Sequence, residues 1–554
     1  MGGQKYRLDK VGVSLLSGAL ALCTGYAMAE DGGRTDWPFA GANLHNTSYA
    51  AEEHRLDPSN VGALQVKWVF DPVGDISATP AVVDGAVYVT DWGTNQVAGY
   101  LYKIDAASGT QIWRHAISEY TGNPNSLSRN TPAVHGHFVV FGDQAGATVI
   151  AVDKDTGALI WKSQIEAHPL GTITQSPVIF EDKVLVGVSS KPEEGWSRTH
   201  PGYIRTFRGS FSALDLKTGQ PRWKTYVLPA PAEPNAEAYT GGAVWGNTAV
   251  VDAKRRSIYI GTGNNYSIPA AVAQCLQSQT TVGAQDTCLD PADHEDSILA
   301  LDLETGKVKW ARRLALGMEG GPDTWSIGCP TSYQVPQPPT LPAFCYKPLG
   351  VDWDFGGGPN LITTQAGDEP VDILGAGQKS GVYWALNPEN GSIRWGRVVG
   401  PGGTLGGMEF GSASDGTRIY TAIANNSHFS FAGLPLGPGY SGGAWSALDA
   451  ATGAILWQVP VPGTDLGNGR QAMGFSAVTT ANGIMFASST AGDLVALDAA
   501  TGATLWSFNT GGTNASTPAV VKGTVYWGAA YAQRGKSAKK LYAFSLPSAS
   551  REGD

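Results

Sequence analysis

Seven times along this 554-residue chain a pattern close to Ala-Leu-Asp-x-x-Thr-Gly-x-x-x-Trp recurs, ending at Trp113, Trp161, Trp223, Trp310, Trp395, Trp457 and Trp506. Each copy reads as a hairpin: an alternating apolar strand, an Asp-x-x-Thr-Gly turn with glycine where φ must be positive, and a short strand closing on a buried tryptophan. Upstream of each lies a second hairpin of the form Thr-Pro-Ala-Val-Val-x-Gly-x-Val-Tyr-Val, with copies starting at Thr79, Thr131, Ser176 and Thr517 and divergent versions at Asn247, Gly411 and Phe475. Four antiparallel strands per repeat make a propeller blade. An eighth blade is split between Ala-Leu-Gln-Val-Lys-Trp, ending at Trp68, and the segments at Thr517–Trp527 and Leu541–Phe544. The expected fold is therefore all-β: an eight-bladed β-propeller with its last blade closed by N- and C-terminal strands. Residues 60–554 form one domain, preceded by a lead-in at 30–59.

Composition agrees with a sheet-built ring. Glycine numbers 72 and tryptophan 17, and only 16% of residues are charged against 42% hydrophobic, which excludes a disordered chain or a coiled coil. A net charge of −10 argues against a general nucleic-acid or anionic-membrane partner. Residues 1–29 read as a signal peptide: Lys5, Arg7 and Lys10, then an apolar run from Val11 to Thr24, then Ala27-Met28-Ala29 as a cleavage site. That run is too short to span a bilayer and no other segment is apolar enough, so the expectation is a periplasmic protein with no membrane span. Beyond Cys23 in the signal, Cys275, Cys288, Cys329 and Cys345 remain. An even count in an exported chain suggests two disulfides, and pairing of sequence neighbours is favoured among three connectivities.

Antiparallel geometry sorts the loops. With the strands of a blade called A to D, the short A–B and C–D turns share one face, and the long B–C and D-to-A connections share the other. The chemistry-bearing residues fall on that second face. Thr174 precedes the third A strand and Ser189-Ser190-Lys191-Pro192-Glu193-Glu194 follows the third B strand. Trp245 precedes the fourth A strand and Asn264 ends Gly-Thr-Gly-Asn after the fourth B strand. Asp352-Trp353-Asp354 opens the fifth A strand and Lys379 follows the fifth B strand. Glu, Asn and Asp offer only hard oxygen ligands, which suit Ca²⁺ rather than zinc or copper.

The Trp-ending repeat, the stretch Gly241–Asn264 and Asp352-Trp353-Asp354-Phe355 together resemble the quinoprotein alcohol dehydrogenases. The stretches Val186–Gly195 and Phe207–Gly219 are most similar to the polyvinyl alcohol dehydrogenase branch, here without its cytochrome c domain. The resemblance implies an enzyme that binds pyrroloquinoline quinone (PQQ) and Ca²⁺ and oxidises an alcohol, secondary hydroxyls and bulky or polymeric substrates included. Electrons would pass to an external acceptor such as a cytochrome c. It assigns Trp245 as the ring stacked on the quinone, Thr174 and Arg129 as contacts to cofactor carboxylates, and Lys379 as the cation beside the quinone oxygens. Asp354 would be the general base and a metal contact, Asn264 a metal ligand, and Glu193 a second one, with Glu194 as the alternative.

The chain departs from the family pattern in three places. Ser128-Arg129-Asn130-Thr131 stands where adjacent cysteines are usual, Ser77 stands where an acidic cofactor contact is expected, and the metal-binding glutamate is one residue out of register. The disulfide-stapled loops beside Asn264 and Asp354 are expected to rim the entrance. A rival reading of the repeat is a non-catalytic scaffold of the outer-membrane assembly type.

Overall fold

The computed structural model describes residues 36–547 apart from 95–96, 197–199, 201–202, 234–237, 280–286, 315–351 and 404. All of these belong to one unit, Thr35–Asp554. The signal segment, Cys329 and Cys345 lie outside the described residues.

Eight four-stranded antiparallel sheets form the blades. Blades 1 to 7 begin with strands Ala81–Val83, Ala133–His135, Val178–Phe180, Val250–Asp252, Asn360–Ala366, Ala413–Ser414 and Thr479–Ala481. They end with Gln111–Ala116, Leu159–Gln164, Pro221–Tyr226, Val308–Arg313, Ile393–Val398, Ile455–Pro460 and Thr504–Asn509. Blade 8 takes Ala519–Val521, Thr524–Ala529 and Lys540–Ser545 from one end of the chain and Gln65–Phe70 from the other, paired from Gln65 opposite Ser545 to Phe70 opposite Leu541. The ring is thus closed by backbone hydrogen bonds between the two ends of the chain. Apolar layers fill the gaps between neighbouring blades, as where Val250 and Ile298 of blade 4 meet Leu361 and Leu374 of blade 5.

The repeat tryptophans work between blades. Trp161 donates its indole N–H to the Leu216 carbonyl of the next blade at 2.8 Å, and Trp68, Trp223, Trp310, Trp457 and Trp506 do the same one blade on. Except for Trp506, whose next blade is the split one and has no such turn, these rings also cover the turn glycine of that next blade: a Cβ at Gly219 would lie 2.4 Å from Trp161. The glycine is therefore required twice, by its φ of +71° and by the indole on top of it. Trp113, Trp223, Trp310, Trp395 and Trp506 are only half-buried, because the D strand is the outermost of its blade. We expect Gly219→Ala to cost about 2–4 kcal/mol from combined backbone strain and overpacking, read as a lowered denaturation midpoint.

The lead-in is an axial plug. Between Trp37 and Ala50 the chain hydrogen-bonds to the innermost strands of six blades, at Val82, Val134, Val251, Leu361, Ser414 and Thr480. Asn46 adds a side-chain bond to the Pro359 carbonyl at 2.7 Å. These contacts lie along the A strands, on the plain-turn side of Ser77 and Thr79, so the axis is filled below the level at which the long loops converge.

Candidate active site

The long loops meet over the axis around a cleft of ≈ 720 Å³, partly open to solvent. Arg129, Thr174, Ser189, Glu194, Trp245 and Tyr266 line it from blades 1 to 4. Asp352, Asp354, Lys379 and Glu409 line it from the connections on either side of blade 5 and from that blade's own B–C loop. A second space of ≈ 530 Å³ continues along the axis beneath, walled by Ser77, Thr79, Thr131, Ser176, Asn247 and Thr517. Arg129, Thr174 and Trp245 border both spaces.

Asp354 is the hub. Its Oδ2 accepts the Trp245 indole N–H at 2.7 Å and the Lys379 ammonium at 3.2 Å, and its Oδ1 accepts the Asn264 backbone N–H at 2.9 Å. The Asp354 carbonyl takes the Lys379 backbone N–H at 3.1 Å, so the segments before and after the first hairpin of blade 5 lock each other. Glycine permits this approach: a Cβ at Gly263 would lie 2.9 Å from the Asp354 carboxyl carbon, and one at Gly356 would lie 2.5 Å from the Trp245 ring. The Gly-Thr-Gly-Asn and Trp-Asp-Phe-Gly stretches are therefore one interlocked unit.

Lys379 is 5% exposed and reaches Asp352 Oδ1 at 2.6 Å, closer than Asp354, while its ammonium stands 5.1 Å from the centre of the Trp245 ring. Burial alone would lower its pKa. The charges of Asp352, Asp354, Glu409 and Glu194 overcome that and hold it well above the ordinary lysine value, so it stays an ammonium. Arg129 and Arg534 lie over the faces of Phe410 (5.9 Å) and Phe475 (5.5 Å). Neither guanidinium makes an ion pair or hydrogen bond among the described residues.

The two glutamates separate cleanly. Glu193 is fully buried and takes the backbone N–H groups of Thr206 (2.7 Å) and Phe207 (2.9 Å), the Tyr203 hydroxyl (3.0 Å) and His168 Nε2 (3.3 Å). It is not among the residues lining the cleft, whereas Glu194 is. Both sit on the short helix Lys191–Trp196, where consecutive side chains point about 100° apart, so only one of them can face the cleft. Thr174 shares a hydrogen bond with Ser189 at 3.0 Å and also touches the Trp245 carbonyl at 3.4 Å. Ser77 accepts the Trp92 indole N–H at 2.8 Å and faces the axial space.

Cys275 and Cys288 are disulfide-bonded. The described residues of their loop are not among those lining the cleft: Ala273, Leu276 and Leu289 pack on Val227, Leu228 and Tyr239 beside blades 3 and 4. Sequence reasoning did not single out Leu405, Glu409, Phe410, Phe475, Tyr531 or Arg534. Their signal was positional, since all follow a B strand or precede an A strand on the elaborated face.

Behind Asn264 lies a buried acid pair. Asn265 donates its backbone N–H to Glu295 at 3.2 Å and its side-chain amide to Asp293 at 2.9 Å. Burial raises both carboxyls, Glu295 further because Asp293 adds its charge, with Arg313 opposing. A carboxyl raised on folding contributes stability below the ordinary carboxylate range, and that stability drains away as pH rises through the raised value. We expect Glu295→Gln to flatten the loss of stability on raising the pH from the ordinary glutamate range into the alkaline range. The flattening should amount to about 1.4 kcal/mol for each pH unit over which the folded protein alone keeps this proton, as read from melts at successive pH values.

The chain belongs to the sequence family described as outer membrane protein assembly factor BamB (PQQ_2), which matches residues 26–312 and 441–549. Within that propeller family it is homologous to named dehydrogenases. It is 28% identical over 470 residues to a polyvinylalcohol dehydrogenase of Pseudomonas sp, covering 82% of this chain and 64% of the relative. It is 30% identical over 412 residues to a polyvinylalcohol dehydrogenase of Sphingopyxis sp., covering 73% and 55%. The chain thus spans less than two thirds of the length of either relative. Among solved structures, the quinohemoprotein alcohol dehydrogenase of Comamonas testosteroni shares the fold, with a TM-score of 0.66 at 20% identity over 94% of this chain and 82% of that one.

Proposed function

We propose that the chain is a periplasmic quinoprotein dehydrogenase that oxidises a secondary alcohol to a carbonyl and passes electrons to an external acceptor such as a cytochrome c. The observation that carries this reading is the anchoring of Asp354 by Trp245, Asn264 and Lys379 at the floor of the cleft.

The residues present suit the cofactors. Asp352, Asp354, Glu194 and Glu409 all act electrostatically on one ammonium, or neighbour it in the cleft, so the site carries surplus negative charge. With the Asn264 side chain beside them, the donor set is all oxygen and amide, which fits a hard divalent ion such as Ca²⁺. Glu194, Asn264 and Asp354 would hold the ion, and Trp245 would present its face to PQQ, with Thr174 and Arg129 near the cofactor's carboxylates. Bound there, the quinone would supply the hydride acceptor and the ion a Lewis acid.

The side chains then have defined work. Asp354 removes the hydroxyl proton, its orientation set by three donors so that little reorganisation is needed. Lys379, kept charged by its neighbours, stabilises negative charge developing beside it. Leu405, Phe410, Phe475 and Tyr531 form an apolar wall that displaces water from the carbinol carbon. Burying a lysine among carboxylates costs desolvation free energy, and a scaffold of the assembly-factor kind has no chemistry for which to bear that cost.

The test is reconstitution of purified protein with PQQ and Ca²⁺, followed by dye reduction over a panel of alcohols. Absence of both quinone binding and dye reduction would overturn the reading. Dialysis against EDTA should weaken quinone binding, measured by tryptophan fluorescence, and added Ca²⁺ should restore it.

A further inference from the structure

The cleft is bipolar. Carboxylates crowd Lys379 beside Trp245, while Arg534 enters from blade 8 and is reached from Trp245 through Phe410 and then Phe475; it lines the cleft but not the axial space beneath, which Arg129 borders. Between these ends run the apolar surfaces of Leu405, Phe475 and Tyr531. Arg534 is half-buried, its guanidinium lies over the Phe475 ring 5.5 Å from the ring centre, and that guanidinium has no ion pair or hydrogen bond among the described residues. The cation–π contact leaves the N–H edges of the guanidinium available, and this planar fork is the group that binds a carboxylate in bidentate fashion.

We propose that Arg534 is a specificity-determining residue that selects hydroxylated substrates carrying an anionic group at the far end of an apolar body. This rests on the alcohol-oxidising reading of the cleft. Charge sets the orientation: the acidic end repels the substrate's anion and Arg534 attracts it, so the hydroxyl is delivered to Asp354. The apolar body lies along Phe475 and Leu405, where it displaces water.

The test compares para-(α-hydroxyethyl)benzoate with its methyl ester on the reconstituted holoenzyme. The two differ in charge at one end and share the reacting carbinol. The anion should be preferred by roughly tenfold to a hundredfold in kcat/KM, what one charge-assisted pair supplies, with most of the difference in KM. Arg534→Gln should erase the preference without changing turnover of the ester, and Arg534→Lys should keep part of it. Binding of the non-oxidisable para-acetylbenzoate, followed by calorimetry, should weaken by the same factor in Arg534→Gln, while quinone affinity should not move.

Equal use of acid and ester by the unmodified enzyme would overturn the proposal, as would a preference that survives in Arg534→Gln. A fall in quinone affinity in that variant would also overturn it, assigning Arg534 to the cofactor instead. If no alcohol is oxidised, the functional reading fails separately, and the calorimetry with para-acetylbenzoate still decides whether Arg534 is an anion site.

Discussion

Asp354→Asn should lower alcohol turnover by about a hundredfold to ten-thousandfold, the usual contribution of a positioned general base, while leaving the ring folded. An amide oxygen at the Oδ2 position keeps the bonds from Trp245 and Lys379. Its nitrogen then faces the Asn264 backbone N–H, donor against donor, at a cost of about 1–3 kcal/mol. Quinone affinity, read from tryptophan fluorescence, should change far less than turnover. Full activity in this variant would mean that the base lies elsewhere in the cleft.

Lys379→Met is expected to damage the fold itself. The ammonium is the shared partner of Asp352 and Asp354, and removing it leaves buried carboxylates without their counter-charge. Breaking a buried ion pair from one side costs about 3–5 kcal/mol, which denaturation by urea would register as a lowered midpoint. Lys379→Met combined with Asp352→Asn should recover part of that loss, because one of the stranded charges is removed together with the lysine. A double variant no more stable than the single one would show that the ammonium is not what holds these acids in place.

The ring was legible because its signal is periodic. Tryptophan and the Asp-x-x-Thr-Gly turn recur at blade spacing, and chain-end closure follows from a half-repeat at each end. What periodicity could not show is that a blade's closing tryptophan covers the turn glycine of the following blade, as Trp161 does Gly219, since that contact exists only once the blades stand side by side. Asp354, Trp245, Asn264 and Lys379 were legible from loop position and side-chain chemistry, and the fold brings them together.

The choice between Glu193 and Glu194 was not legible. It depends on which face of a single helical turn meets the cleft, and the backbone N–H groups that claim Glu193 come from Thr206 and Phe207, beyond the motif. The aromatic wall was missed for a related reason. Phe410 and Phe475 precede A strands in blades whose first hairpin diverges from the repeat; Phe475 itself reads as the beginning of a strand, and Phe410 falls immediately before one.

The segment Trp37–Ala50 closes off the axis beneath the cleft, with the inner strands of six blades bonded to it. Among the described residues, a ring stoppered in this way is a cup and not a tunnel, entered and left from the side of the long loops. Under the proposed chemistry, a long polymer cannot be reeled through the hub. It must lie across the rim and dip one hydroxyl at a time, so oxidation along a chain would be scattered, with release between events, and not processive from one end.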